Sequence, residues 1–334
     1  MNFAEFKYKA ERKLYGYYYN RIHKKPFLKY CFYYTSYRHS LKHNGDGSCV
    51  NYIAARPNPG AGIGHQMANW MAGYHLAKIL NLKFANIPFS RYHNPWVPTP
   101  WNDFLGFGIN EIHYKDLLKC GYKKVLLPLF DESDENQLKV IRKIIASYSD
   151  SKVLFICEQD QFYRDLDTLI PDLQDKFYSA PARSDDKLLF DKNNFNIAIH
   201  VRRGDIMTNP DDPSLAKRVL SNDYFEKVLG QVLVYLKNVT DKPIHIYFFS
   251  QGKPDDYPEF GKFSNLHWCM DMGAMSSFLH MVYADLLITS KSSFSYKPAL
   301  LNRGIKVCPK DFWHGYPNCK DWIMVDNQGN VIWK

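Results

Sequence analysis

The second half of the chain alternates short apolar runs with longer amphipathic segments, and this alternation limits the folds that the chain can adopt. The apolar runs are FNIAIHV, PIHIYFFS, NLHWC, DLLITS and IKVCP. Between the first two runs, Phe225, Val228, Leu229, Val232 and Leu236 recur at the spacing of one helical face. Strands that alternate with helices form parallel sheets, so we predict a doubly wound α/β domain here.

The first half has a shorter version of the same pattern. CVNYIAA predicts a strand, RPNPGAGIGHQ a glycine-rich turn, MANWMAGYHLAKILNL a helix and KFANIPF a second strand, which together make one βαβ unit. Small, proline and charged residues cluster between about residues 160 and 194 and indicate a connection. We therefore predict a basic aromatic extension over 1–47, an α/β domain over 48–190 and a second α/β domain over 191–334.

Two arginines, a glycine and an aspartate directly follow the strand FNIAIHV, as Arg202, Arg203, Gly204 and Asp205. Ligands of open parallel sheets bind beyond the carboxyl ends of the strands. Two guanidinium groups at that place suit a phosphate or diphosphate, because each presents a fixed fork of N–H donors. We expect His200, inside the strand, to reach the same pocket. The alternative is an arginine–aspartate pair that only ties a loop.

A second anion-binding segment is predicted where the strand DLLITS passes into SKSSFSYKPALL. The serines begin a helix, and free backbone N–H groups and hydroxyls at a helix N-terminus attract anions. The alternative is simple capping of that helix by Ser292 or Ser293. Because both segments leave the same edge of one sheet, together they predict a bound diphosphate.

Three blocks of the sequence carry a resemblance to fucosyltransferases. HVRRGD, from His200 to Asp205, is similar to the first motif of the α1,2- and α1,6-fucosyltransferases. GIGHQMANWMAGYHLAKILNL resembles the opening block of the family 11 glycosyltransferases, which are α1,2-fucosyltransferases, and DMGAMSSFLHMVYADLLITSKSSFSY resembles their third block. The blocks stand in the family's order between about residues 50 and 309.

The resemblance implies a GT-B-like protein, with two Rossmann-type domains facing a central cleft. It implies an inverting transfer of fucose from GDP-fucose to a glycan hydroxyl, with no metal or other cofactor. Arg202 would hold the donor β-phosphate, and Asp271 would reach the base. The donor-binding set that it implies is His200, Arg202, Arg203, Asp271, Ser292, Ser293 and Phe294. The acceptor or cleft set is Gly62, Gly64, His65 and Gln66.

The sequence departs from the family pattern at two places. The family's Asn before Gln-Met is His65 here, which affects the contacts expected near Gln66. The Trp-rich stretch that follows the family's serine block is Tyr296, Lys297 and Pro298 here, which affects the identity of the donor sugar.

The mechanism inferred from the residues agrees with the resemblance. When a nucleoside diphosphate leaves a sugar, fixed cations or a metal must stabilise the charge that develops on it, and Arg202 and Arg203 can do so. A base is needed for the proton of the acceptor hydroxyl. Asp205, Asp211 and Asp212 follow the strand, and we choose Asp205 as the candidate catalytic base.

The charge of the chain indicates an anionic partner. The formal net charge is +9 and the pI is near 9.0. Residues 1–47 interleave Lys and Arg with Tyr and Phe. Three interpretations of this extension stay open: a segment that lies on an anionic membrane, a nucleic-acid-binding arm, and a helical extension that packs on its own domain.

The cysteines and the apolar runs indicate a compartment. The seven cysteines are widely spaced and form no C-x-x-C pair, which favours a reducing environment. No apolar run reaches transmembrane length, and the N-terminus lacks the apolar core of a signal peptide. We therefore expect a cytoplasmic protein with peripheral contact to a membrane.

Three rival functions are kept. Asp165 and Asp167 in RDLDT could hold a metal in a metal-dependent transferase, although a solvated helix face explains them as well. A basic nucleic-acid-binding protein would use residues 1–47 but leaves the two arginines unexplained. The third rival keeps the fold and changes the donor, for example to UDP-xylose.

Overall fold

The structure, a computed structural model, shows two compact α/β units, each with its own parallel sheet. It describes residues 25–57, 61–91, 94–157, 167–207 and 217–333, with residues 10, 13, 17 and 21 singly. The first unit draws on residues 1–57, 69–87 and 110–160, and the second on residues 58–68, 88–109 and 161–334. The predicted fold class, two α/β units built on parallel sheets, is confirmed.

The strands of the described residues are β1 (Tyr52–Ala55), β2 (Lys83–Asn86), β3 (Ser90–Arg91), β4 (Asn94–Pro98), β5 (Ile112–His113), β6 (Lys123–Leu126), β7 (Val153–Cys157), β8 (Phe195–His200), β9 (Ile244–Ser250), β10 (Leu266–Met270), β11 (Leu286–Ile288), β12 (Ile305–Pro309), β13 (Trp322–Val325) and β14 (Val331–Ile332). The α-helices are α1 (Pro26–Phe32), α2 (Tyr34–Lys42), α3 (Ile63–Ile79), α4 (Trp101–Leu105), α5 (Tyr114–Lys119), α6 (Glu135–Ser147), α7 (Ile170–Tyr178), α8 (Asn222–Leu236), α9 (Ala274–Tyr283) and α10 (Ser293–Leu301).

The first unit is built on the sheet β5-β2-β1-β7-β6, in which all neighbouring strands are parallel. Strand β7, between β1 and β6, is buried along its whole length, because VLFIC offers an apolar side chain to both faces of the sheet. Gly73 of α3 lets the helix approach β1 closely, since a Cβ there would lie 2.5 Å from the Cβ of Ala55.

The second unit is built on the sheet β10-β9-β8-β11-β12-β13-β14. The strands from β8 to β13 are parallel to their neighbours, and β14 pairs antiparallel with β13. The chain leaves β8 towards β9 and β10 on one side and continues with β11 on the other. This is the strand order of the dinucleotide-binding fold, and it places a topological switch point between β8 and β11.

Helix α8 has the packing that the sequence predicts. It begins after Ser221, whose hydroxyl accepts the N–H of Tyr224 at 3.1 Å and caps the first turn. The five apolar residues of the predicted face, Phe225 to Leu236, are all buried in the core of the second unit. The helical spacing therefore identified the buried face correctly.

The second unit begins earlier in the chain than residue 191, where the sequence prediction placed it. Gln174 of α7 donates to the carbonyl of Leu300 at 3.3 Å, and the Arg183 guanidinium lies 4.6 Å from the ring centre of Phe104. These contacts place residues 167–190 and 94–109 in the second unit. Each of these contacts joins residues that are far apart in the chain, so the local composition of the sequence does not predict it.

Helix α3 also begins earlier than predicted. It starts at Ile63 rather than at Met67, because the carbonyl of Gly62 accepts the N–H groups of His65 and Gln66. Gly60, the first glycine of the predicted turn, lies outside the described residues.

Among the helices that the structure describes, no candidate for a membrane-spanning segment is found.

Candidate functional site

Two serine hydroxyls hold the end of β8 from both sides. Ser250, the last residue of β9, donates to the carbonyl of Val201 at 2.8 Å. Ser290, which follows β11, donates to the carbonyl of His200 and accepts the N–H of Arg202 at 2.9 Å. The backbone of Arg202 is therefore positioned by both neighbouring strands. Sequence reasoning missed these two serines, although each directly follows or ends an apolar strand.

The chain turns sharply after the two arginines, and this turn requires a glycine. Gly204 has a φ of +73°, and a Cβ there would run into the side-chain amide of Gln251. The backbone of Asp205 is described but its side chain is not, and Asp211 and Asp212 lie outside the described residues. The assignment of the catalytic base to Asp205 stays a prediction.

A cavity of about 340 Å³ opens beside the end of β8, and all the residues that line it belong to the second unit. Its wall includes His200, Arg202, Arg203, Asp271 and Phe294, five of the seven residues that the resemblance implies for the donor. The structure thus brings together residues that are up to 94 positions apart in the sequence.

The first turn of α9 lines the same cavity through Gly273, Ala274 and Ser277. Gly273 is the N-cap, with a φ of +86°, and no side chain caps the helix within the described residues. The N–H groups of the first turn and the positive end of the helix dipole are therefore available to an anionic ligand. Sequence reasoning assigned this role to α10 and missed α9, for which the glycine before AMSSF was the available signal.

The serines at the start of α10 have other partners. Ser292 is the N-cap and accepts the N–H of Phe294 at 3.2 Å, so the capping alternative describes it. The Ser293 hydroxyl lies 2.9 Å from Nε2 of His314. Of the residues described, neither Ser292 nor Ser293 is in the cavity wall, whereas the ring of Phe294 lies in it, 5.6 Å from the ring of His200.

Arg203 is anchored within the protein. Its Nη1 donates to the carbonyl of Arg202 at 2.8 Å and its Nη2 to Oδ1 of Asn222 at 2.6 Å. The guanidinium also lies 6.0 Å from the ring centre of Tyr257. Burial lowers the pKa of Arg203, against the raising effect of Tyr257 and Glu259. This arginine therefore adds charge to the cavity from a fixed position.

His200 is a neutral group in the cavity wall. Its side chain is buried, and Nδ1 has no hydrogen-bond partner among the described residues. Burial, helped by the charges of Arg202 and Arg203, lowers the pKa of His200 to about 3. The imidazole therefore offers a ligand a neutral polar edge rather than a third positive charge.

Asp271 brings a carboxylate to the cavity. It follows β10 with a φ of +50°, a conformation that aspartate tolerates better than most residues. Its N–H donates to the carbonyl of Ser250 at 3.2 Å, which ties it to the end of β9. Its side chain is exposed to solvent and to a ligand in the cavity.

The residues predicted for the acceptor or cleft set differ in their exposure to solvent. Gly64 is buried, and a Cβ there would lie 3.1 Å from the Cβ of Ser293, so glycine allows this turn to approach the start of α10. His65 is half-buried and Gly62 is exposed.

Gln66 holds the turn to the neighbouring strand. Its Nε2 donates to the carbonyls of Ala61 and Ser90, both at 2.9 Å, and its Oε1 accepts the N–H of Ser90 at 2.8 Å. Both amide hydrogens are used within the protein. The assignment of Gln66 to the acceptor or cleft set stays a prediction.

The metal-binding alternative stays untested. Within the part of the chain that the structure describes, no group of three or more His, Cys, Asp or Glu side chains is placed to hold a metal ion. Asp165 lies outside the described residues, so its pairing with Asp167 is untested.

Comparison with known proteins finds distant structural similarity alone. No protein-family model and no curated protein matches the chain. The structure of POFUT1 in complex with GDP is 13% identical in sequence, covers 79% of this chain and 99% of its own, and has a TM-score of 0.46. Fucosyltransferase NodZ from Bradyrhizobium is 12% identical, with coverages of 85% and 97% and a TM-score of 0.41. E. coli heptosyltransferase WaaC, with ADP-2-deoxy-2-fluoro heptose, is 10% identical, with coverages of 84% and 94% and a TM-score of 0.37. The resemblance to family 11 stays a prediction.

The lowered pKa of His200 predicts a specific acid sensitivity. The unfolded chain binds a proton near pH 6.5 and the folded protein only near pH 3, so the stability that neutral His200 contributes is lost as the pH falls through this range. Between these values, the free energy of unfolding of the wild type should fall more steeply than that of His200→Gln, by up to about 1.4 kcal/mol per pH unit. Urea denaturation at several pH values measures this difference. His43→Gln, at an exposed histidine, is the control, and parallel curves for wild type and His200→Gln would contradict the prediction.

Proposed function

We propose that the protein is an inverting glycosyltransferase that transfers fucose from GDP-fucose to a hydroxyl of a glycan acceptor. The observation that carries this proposal is that Arg202 and the uncapped N-terminus of α9 line one cavity. The cavity lies beside the end of β8, the strand at the switch point of a Rossmann-type sheet. The choice of fucose and of guanine rests on the motif resemblance.

The geometry supports the binding of a diphosphate. Ser290 and Ser250 fix the backbone on either side of Arg202, and Arg203 is held in place by Asn222. Arg203 and the helix N-terminus supply positive charge from fixed positions, and Arg202 adds a second guanidinium group from a fixed backbone. Charge that is already in place stabilises the charge that develops on a leaving group.

The remaining wall residues suit the rest of a nucleotide. In this proposal the Asp271 carboxylate accepts hydrogen bonds from the N–H groups of the base, and neutral His200 forms a hydrogen bond with the ligand through Nδ1. Phe294 contributes an apolar surface. The acceptor hydroxyl loses its proton to a base, for which Asp205 remains the candidate.

A donor screen by thermal shift tests the proposal. GDP and GDP-fucose should raise the melting temperature, because a ligand at a hundred times its Kd stabilises the folded state by about 2.7 kcal/mol. GDP-mannose, UDP-glucose, UDP-xylose and UDP are the comparison ligands. A response to UDP sugars alone would reassign the donor. If no nucleotide changes the melting temperature and RNA binds with a steep salt dependence, the protein is a nucleic-acid-binding protein instead.

Arg202→Lys should reduce turnover strongly. A lysine cannot reproduce two parallel hydrogen bonds, and the charge on the β-phosphate grows as the glycosidic bond breaks. We expect kcat to fall some hundreds-fold, equivalent to about 3–4 kcal/mol, and donor binding to weaken less. Steady-state kinetics and donor titration measure the two effects. Arg142→Lys, the same exchange on the exposed side of α6, is the matched control. Wild-type turnover in a folded Arg202→Lys protein would show that this arginine does not hold the phosphate.

Turnover should persist without a divalent metal ion. The arginines and the helix N-terminus supply the positive charge that a metal would otherwise bring to the leaving group. We expect the rate of sugar transfer to be unchanged in excess EDTA. Loss of all activity in EDTA, with recovery on addition of manganese, would overturn this part of the proposal and favour the metal-dependent alternative.

A further inference from the structure

Helix α2 and Tyr33, the residue before it, are seated on the first unit by one face. Tyr33, Ser36 and Ser40 are buried there, and the Ser36 hydroxyl donates to the carbonyl of Leu126 at 3.1 Å. The ring of His39 stacks on Tyr148 with 3.6 Å between ring centres. These contacts fix which side of α2 faces the protein.

Another side of α1 and α2 presents apolar side chains to solvent. Phe27 is 75% exposed, Tyr30 44%, Tyr34 45% and Leu41 72%. They recur at three-, four- and seven-residue steps, which places them along one side of successive helical turns. The centre of the Tyr30 ring lies 6.0 Å from that of Tyr34 and 5.2 Å from that of Tyr37. The exposed apolar surface therefore continues from α1 into α2. We call Phe27, Tyr30, Tyr34 and Leu41 the aromatic face.

Positively charged residues stand beside Tyr34 and at the two ends of the pair of helices. Lys25, Arg38 and Lys42 are exposed, and the Arg38 guanidinium lies 5.9 Å from the ring centre of Tyr34. The sequence has no acidic residue between positions 12 and 45. A bound partner therefore has to present both negative charge and an apolar region.

We propose that the aromatic face docks the protein on an anionic lipid surface. Aromatic and aliphatic side chains would enter the boundary between headgroups and acyl chains, and Lys25, Arg38 and Lys42 would lie among the headgroups. The inference goes beyond sugar transfer and does not rest on it.

Two other occupants fit the face less well. A second copy of the chain would place the cations of both copies close together, where they repel each other. The apolar residues of the face span about two heptads, fewer than a stable coiled coil needs. A nucleic acid would match the charge and stack on the tyrosines, but it has no apolar region for Phe27 and Leu41. An anionic membrane satisfies both requirements at once.

Vesicle flotation of the full chain tests the proposal. The vesicles are made of phosphatidylcholine alone, or with about one third phosphatidylserine, which makes their surface negative. The wild type should float with the anionic vesicles and be released as salt is raised. Equal binding to both kinds of vesicle, or binding to neither, would overturn the proposal.

Two pairs of variants separate the apolar and the electrostatic contributions. Phe27→Ser with Leu41→Ser should weaken binding at least about tenfold, because it removes the two most exposed apolar side chains. Lys25→Gln with Lys42→Gln should weaken it about thirtyfold and reduce the preference for anionic vesicles, with Arg38 still present. The controls are Val140→Ser with Val234→Ser, at exposed valines, and Lys139→Gln with Lys143→Gln, on the exposed side of α6.

Further measurements decide between the occupants. All variants should keep the wild-type melting temperature and the wild-type thermal shift with GDP, so that a failure of docking is distinguished from a failure of the proposed function. If sedimentation shows a dimer that the Phe27→Ser, Leu41→Ser pair dissociates, the face is an interface between two copies. If the lysine pair abolishes RNA binding while vesicles are not bound, the face is a nucleic-acid-binding surface. Either result would overturn the lipid proposal.

Discussion

The hydroxyl of Ser290 joins the end of β11 to the end of β8, from which the two arginines enter the cavity wall. It donates to the carbonyl of His200 and accepts the N–H of Arg202, and its own N–H donates to the hydroxyl of Ser295 at 3.1 Å. The pairing of β8 with β11 ends at Ile199 and Ile288, which would leave buried backbone groups beyond it without partners. Ser290, itself buried, satisfies them. The sheet can therefore end at a defined residue, with the backbone of Arg202 held in one position. The wall of the cavity begins at this end of β8.

The electrostatics of the cavity follow from that anchoring. Two neighbouring arginines repel each other, and the structure restrains Arg203 through Asn222 and the ring of Tyr257. The same charges, added to burial, keep His200 neutral. The N-terminus of α9 adds positive potential without a further side chain. A ligand with two adjacent negative charges and a polar ring system matches this combination of fixed cations, neutral imidazole and the carboxylate of Asp271.

The N-terminal helices show how one segment can satisfy two interpretations of its sequence. Their composition was compatible with packing on the protein and with binding to an anionic partner. The structure assigns packing to Tyr33, Ser36 and Ser40, and leaves Phe27 and Leu41 on the solvent side. Helical periodicity makes this division unavoidable, because residues that are one position apart point in directions about 100° apart.

The sequence by itself determined the class of fold and the strand end that carries the arginines. Helices and strands need apolar residues at fixed spacings, so the buried face from Phe225 to Leu236 and the strand before Arg202 could be predicted from local pattern. The tertiary structure alone decided that the first turn of α9 lines the cavity, and that Phe294 enters the wall from α10 while Ser292 and Ser293 have other partners. It also decided that the amide of Gln66 is hydrogen-bonded within the second unit, and that residues before 191 belong to that unit. Each of these outcomes depends on which residues, far apart in the sequence, come into contact in the folded chain. The local spacing of residues does not specify those contacts, because they are set by the packing of the whole unit.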